Sequence, residues 1–144
     1  MRTLIVGDVH GCAVELRRLV ELARPDRVVL VGDLYAKGPD PAGVWRMVRE
    51  GGWQAVLGNH DAKLVAIARG QRAPTQDSLL SIHQLVNEDP GWLDWLHSRP
   101  LFLDVEGFTV VHAGLHPSGL LIKTTRKMAL TMRSWPLGEE GGPF

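Results

Sequence analysis

The stretch Leu4-Ile5-Val6-Gly7-Asp8-Val9-His10-Gly11 decides how this chain folds. Three consecutive apolar residues run into Gly-Asp, which reads as a short strand buried on both faces and stopped by a polar turn. The same device returns twice. Val28-Val29-Leu30-Val31 is closed by Gly32-Asp33, and Gln54-Ala55-Val56-Leu57 by Gly58-Asn59. Helical spacing fills the gaps. Over residues 13–23, Val14, Leu16, Leu19, Val20 and Leu22 share one side, and Pro25 stops the run. The loop Gly38-Pro39-Asp40-Pro41 precedes a helix over 42–50 that ends at Gly51-Gly52, and a third helix over 60–68 ends at Gly70. Strand and helix thus alternate three times, with strands apolar throughout, which implies a parallel sheet covered by helices. Further on, the pattern predicts helices over 77–88 and 91–98. Strands over 101–105 and 108–111 should form a hairpin about Glu106-Gly107. A short helix over 124–132 and a loose end over 138–144 complete the reading, with no internal repeat, linker or low-complexity segment.

Composition narrows the class. The chain has 144 residues and a mass of 15.9 kDa, the size of one domain spanning 1–144. Hydrophobic residues make up 44% and charged residues 22%, enough to build a core. Lys+Arg and Asp+Glu both number 16, so the zero net charge argues against a nucleic-acid duplex as partner, whose binding needs phosphate neutralisation. Cys12 is the sole cysteine, which excludes an intramolecular disulfide and a thiolate zinc cluster. The apolar run near Met1 is too short for a signal sequence, and no run approaches the roughly 18 residues of a membrane span. The expectation is a reduced, cytoplasmic protein with no membrane partner.

The chemistry-bearing residues all stand where strands stop: Asp8 and His10, then Asp33, then Asn59-His60-Asp61, and later His112-Ala113-Gly114. Parallel strands gather their carboxyl ends along one edge, where ligands bind in open α/β sheets. Carboxylate, imidazole and amide oxygen form a mixed O/N shell suited to Mn, Fe, Co, Ni or Zn. On an extended segment, the i, i+2 spacing of Asp8 and His10 points both side chains the same way. Asp33, at the middle strand end, is the candidate to bridge two ions. Each piece alone has an ordinary reading: a helix cap, a turn, a core histidine. Four of them in order, each at a strand end, carry the argument together.

These ordered motifs, Gly7-Asp8-x-His10-Gly11, Gly32-Asp33, Gly58-Asn59-His60-Asp61 and His112-Ala113-Gly114, resemble those of calcineurin-like metallophosphoesterases. The stretch Val31-Gly32-Asp33-Leu34-Tyr35-Ala36-Lys37-Gly38-Pro39 is similar to the diadenosine tetraphosphatase (ApaH-like) branch and the related bacterial Ser/Thr phosphoprotein phosphatases, as is Leu130 to Trp135. The resemblance implies an α/β fold, a metallophosphoesterase β-sandwich flanked by helices (αββα). It further implies two divalent metal ions, manganese first, with Fe, Ni, Co or Zn as alternatives. Asp8, His10 and Asp33 would hold the first metal; Asp33, Asn59 and His112 the second. His60 would be the general acid, oriented by Asp61, with Lys37 and Arg133 on substrate phosphate.

The resemblance also implies a downstream Gly-His motif that completes the second metal site. The sequence reaches Phe144 without one, so the expectation is a C-terminally incomplete domain. An uncovered sheet face would then favour a homo-oligomer. The implied activity is two-metal hydrolysis of a phosphoanhydride or phosphomonoester, foremost a dinucleoside polyphosphate such as diadenosine tetraphosphate. A protein serine/threonine phosphatase acting on phosphoprotein is the alternative, and a non-catalytic metal-binding or interaction domain is the alternative of another class. Cys12, His83 and His97 are expected to be structural, and Trp92 and Trp95 to pack in the core.

Overall fold

The structure, a computed structural model, describes residues 1–134 and the backbone of 135 and 142–143. Three parallel strands, β1 (Thr3–Val6), β2 (Arg27–Leu30) and β3 (Gln54–Ala55), form a sheet in that spatial order. Register runs Thr3↔Arg27 to Val6↔Leu30, then Val29↔Gln54 and Leu30↔Ala55. The third strand is half the length expected over 54–57. Beyond Ala55 the chain turns away: Val56 N–H still reaches Leu30 O, but Leu57 N–H is taken by Pro100 O.

Three helices follow the strands: α1 (Ala13–Ala23), α2 (Pro41–Gly51) and α3 (Asn59–Ala68). Local chemistry fixes their ends. Asp40 caps α2 by accepting from Gly43 N–H at 2.8 Å, with Pro41 at the first turn where its missing N–H costs nothing. Gly52, at φ 60°, ends the same helix in the left-handed region. Then come α4 (Gln76–Glu88), α5 (Trp92–His97), the antiparallel hairpin β4 (Phe102–Val105) and β5 (Phe108–Val111), a 3-10 turn over Leu121–Lys123, and α6 (Arg126–Thr131). The backbone pair β6 (Ser134–Trp135) and β7 (Gly142–Pro143) is the only described part of the tail. The rest of the loose end expected over 138–144 lies outside the described residues.

Strand alternation sorts the core into two layers. Val28, Leu30, Ala55 and Leu57 face the helices and join Leu34, Val44, Leu64, Leu85, Trp92 and Leu96 in the larger cluster. Val29, Val31 and Val56 face the other way, onto Leu103, Val105 and Val110 of the hairpin. The order is therefore helices, parallel sheet, hairpin, the beginning of the sandwich that the sequence implies. Ile5 points to the hairpin side beyond its reach and is 46% exposed. Trp92 is buried, and Trp45 lies against Trp95 with ring centroids 5.4 Å apart, so these indoles serve the core. Among the described residues no helix is long and apolar enough to cross a membrane.

Candidate metal centre

The parallel sheet delivers the strand-end residues to one place, and three residues there sit at positive φ. His10 is at 46°, Asp33 at 55° and Lys37 at 71°. A left-handed side-chain-bearing residue costs about 1–3 kcal/mol and persists only where its surroundings hold it. Here they do. Asp33 O accepts from both Val9 N–H (3.1 Å) and His10 N–H (2.8 Å), and Leu34 O accepts from Gly11 N–H (2.8 Å). Asp8 and His10 thus converge through a tight turn, not through the extended i, i+2 alternation the sequence suggested. Gly32 (φ +94°) and Gly38 let the loops touch. A Cβ on Gly32 would lie 2.6 Å from Gly58 N, and one on Gly38 would overlap the His10 carbonyl.

The donor atoms face one another. His10 Nε2 lies 3.7 Å from Asp8 Oδ2 and 3.8 Å from Asp33 Oδ2. His112 Nε2 lies 3.5 Å from the same Asp33 Oδ2 and 2.9 Å from Asn59 Oδ1. The tautomers follow from the other ring nitrogens. His10 Nδ1 is 2.9 Å from Ala36 O and His112 Nδ1 is 2.7 Å from Val31 O. A carbonyl only accepts, so each Nδ1 carries the proton and each Nε2 presents a lone pair inward. With the imidazoles neutral, lone pairs of imidazole, carboxylate and carboxamide converge. A divalent cation is what such a set fits. Asp8, Asp33 and His112 each offer one ligand atom within 4.8 Å of the others. Asp33 Oδ1 is occupied by His60 N–H at 2.8 Å, which turns Oδ2 toward both imidazoles. Its side chain is 3% exposed, that of Asp8 53%.

His60 flanks the cluster, its ring edge-on to His10 with centroids 5.3 Å apart. Burial lowers its pKa; Asp33 pulls the other way, while Lys37, Lys63 and His10 add to the lowering. Asp61 does not do what the sequence suggested. Its fully buried carboxylate accepts from the backbone N–H groups of Asp33 (2.7 Å), Leu34 (2.9 Å) and Gly58 (2.9 Å), with no hydrogen bond to the His60 ring among the described residues. Burial raises its pKa to about 6 despite those three donors. Asp61 ties the loop after β2 to the start of α3, which positions Asp33, Asn59 and His60 together.

Residues 1–141 match the model of the calcineurin-like phosphoesterase family. The chain belongs to that family. Membership implies divalent metal ions, and the lone pairs just described suit them. Relatives include the symmetrical bis(5'-nucleosyl)-tetraphosphatase of Actinobacillus succinogenes, 39% identical over 126 residues, with 81% of this chain and 46% of that protein covered. The enzyme of the same name from Nitrosospira multiformis is 42% identical over 126 residues, covering 82% and 45%. The chain therefore spans about half the length of the curated relatives it matches. A solved chain described as a candidate diadenosine tetraphosphatase aligns with TM-score 0.74 and 31% identity, covering 99% of this chain and 64% of that one. A metallophosphoesterase from Sphaerobacter thermophilus aligns with TM-score 0.61 and 28% identity, covering 82% and 48%.

Two residues remain from the family resemblance. Lys37 lies in the wall of a cleft of about 340 Å³ that also includes His60, so it stands beside the centre. Arg133 lines a different cleft, with His116 and Lys127. Three residues, Lys63, Leu64 and Ile67, join the site without a signal in the sequence. On α3, His60, Lys63, Leu64 and Ile67 fall at i, i+3, i+4 and i+7 and line one cleft together. As a pattern, a helix face of such mixed character reads as an ordinary solvated edge. Cys12 is half-buried at the start of α1, its thiol 3.7 Å from His10 O.

Proposed function

We propose that this chain carries the metal-dependent hydrolytic centre of a phosphoesterase that splits a phosphoanhydride, with a dinucleoside polyphosphate such as diadenosine tetraphosphate as substrate. The observation that carries this is the meeting of His112 Nε2, Asn59 Oδ1 and Asp33 Oδ2, continued to His10 and Asp8 through the same carboxylate oxygen. The names of the relatives support the substrate class.

Asp8, His10 and Asp33 would hold one divalent ion, and Asp33, Asn59 and His112 a second, with manganese the first choice for a mixed O/N shell. Bound ions supply Lewis-acid charge for the phosphoryl oxygens and acidify the attacking water. The chain's own residues do the rest. Asp33 Oδ2 is shared between the two imidazoles, so it fixes the spacing of the pair. His60 gives a proton to the oxygen that leaves phosphorus as the new phosphorus–oxygen bond to water forms. Its burial favours the neutral ring, so the protonated form surrenders its proton readily. Lys37 meets a phosphate oxygen as a point charge. A cytoplasmic site of action, where such nucleotides are found and lone thiols stay reduced, belongs to the same reading.

The test is a rate comparison on metal-stripped protein reconstituted with Mn²⁺, using diadenosine tetraphosphate and a phosphoserine peptide. A symmetrical cut yields only adenosine diphosphate, which ion-exchange chromatography resolves. Faster peptide hydrolysis would instead make this a protein phosphatase. Metal uptake without turnover of either would leave a binding domain.

A further inference from the structure

The cleft beside His60 holds none of the five candidate ligands, yet it adjoins their cluster at Ala36 and His60. Its floor is the α3 stripe, its far side begins with Thr75 and Ser78 of α4, and Ala36-Lys37 closes it toward the centre. Ala36 O is the carbonyl that orients His10. The cleft therefore shares two of its walls with the candidate metal centre, and His60 separates them. A group expelled from phosphorus and protonated by His60 has this space in front of it.

Its charge is selective. Lys37, Lys63 and Arg72 line it against a single acidic residue, Asp77, in a chain whose net charge is zero. None of the three cations forms an ion pair among the described residues, whereas Arg46 and Arg49 are paired with Glu88 and Asp89. Lys63 stands one helical turn from His60 on the same face of α3. Leu64 and Ile67 add apolar surface deeper along that face. Cations near the leaving oxygen with apolar wall beyond suit a leaving group that is itself a nucleoside polyphosphate. A serine side chain on a peptide carries no such charge. The volume of about 340 Å³ falls at the small end of small-molecule sites, which run from about 300 Å³.

We infer that this cleft is the leaving-group subsite, in which Lys63 and Arg72 bind the phosphates of the departing nucleoside diphosphate and so select nucleotide anhydrides over phosphomonoesters. The inference rests on the phosphoesterase reading above and deepens it. Lys63 and Arg72 are both exposed, so their replacement leaves the fold intact. Each charge-assisted hydrogen bond lost should cost about tenfold in affinity.

The experiment uses the full chain, the double variant K63A/R72A and the charge-preserving K63R/R72K. First, adenosine diphosphate binding is measured by calorimetry on metal-stripped protein in EDTA, where the metal centre cannot contribute. The dissociation constant should rise about 100-fold in K63A/R72A and recover largely in K63R/R72K. Second, kcat/KM is measured with Mn²⁺ on diadenosine tetraphosphate and on p-nitrophenyl phosphate. The double variant should lose about 100-fold on the first, chiefly through KM, and at most about tenfold on the second, where only the influence of Lys63 on His60 is felt. Equal nucleotide affinity in wild type and K63A/R72A would overturn the subsite, as would equal loss on both substrates. If neither substrate were cleaved by wild type, the phosphoesterase reading would fail while the EDTA titration still decided the cleft.

Discussion

Replacing Asp61 with Ala separates a positioning role from an acid–base role. The substitution strips three backbone N–H groups, those of Asp33, Leu34 and Gly58, of their buried acceptor. An orphaned buried donor costs about 1–3 kcal/mol, so the three together cost about 6 kcal/mol. Removing the carboxylate also relieves its desolvation. Burial outweighs the three donors and leaves its pKa at about 6, raised from 3.8, a net penalty of about 3 kcal/mol on the charged form at neutral pH. A net loss of about 3 kcal/mol remains, out of a total of about 5–15 kcal/mol for a domain. In urea that lowers the unfolding midpoint by about 1.5–2 M. D61N should fall much closer to wild type. Its carbonyl oxygen can still accept from Asp33 and Gly58, and it carries no charge to bury. The assay is urea unfolding of metal-stripped protein followed by tryptophan fluorescence. A D61A protein with an unchanged midpoint but no turnover would refute the reasoning, and would return Asp61 to service of His60.

The other expectations are compact. H60A should bind metal as wild type does and lose about 10²–10⁴-fold in kcat, checked by elemental analysis beside steady-state rates. G38A places a methyl group on the His10 carbonyl, so both unfolding midpoint and metal affinity should fall, read by thermal shift with and without Mn²⁺. The clamp of Arg46 and Arg49 on Glu88 between α2 and α4 depends on pH, because the Arg46 hydrogen bond holds the Glu88 carboxyl below its ordinary value of 4.5. A depressed carboxyl stabilises above that value and loses the benefit as pH falls through the lowered one. The stability gap between wild type and E88Q should therefore be present at neutral pH and close in acid, as urea midpoints across that range would show.

Much of this was legible because two patterns were unambiguous. Leu4 to Val6 and Val28 to Val31 are apolar on both faces, which points to a parallel sheet, and such a sheet gathers its carboxyl ends, although Ile5 of β1 is left exposed on the hairpin side. Asp8, His10, Asp33 and Asn59 came together for that reason, whereas His112 arrives from the end of β5 in the antiparallel hairpin. What escaped was whatever depended on backbone detail. The left-handed turn at His10 has no side-chain signature, since only the loop contacts with Asp33 and Leu34 hold it. The role of Asp61 differs from what the family resemblance implied, a carboxylate orienting His60, because on a helix neighbours at i, i+1 point apart. Gln54 to Leu57 looked like a full strand, but Pro100 captures Leu57 and shortens it. The cleft beside His60 joins α3 to a later helix, and no local pattern encodes that meeting.

The central claim is that Asp33 Oδ2 anchors divalent metal between the two imidazoles. Calorimetric titration of metal-stripped protein with Mn²⁺, wild type beside D33N, tests it most directly. The account predicts saturable binding in wild type and its loss, or a drop of at least about 100-fold in affinity, in D33N, which keeps the shape but gives up the charge. Equal Mn²⁺ affinity in the two proteins would contradict it.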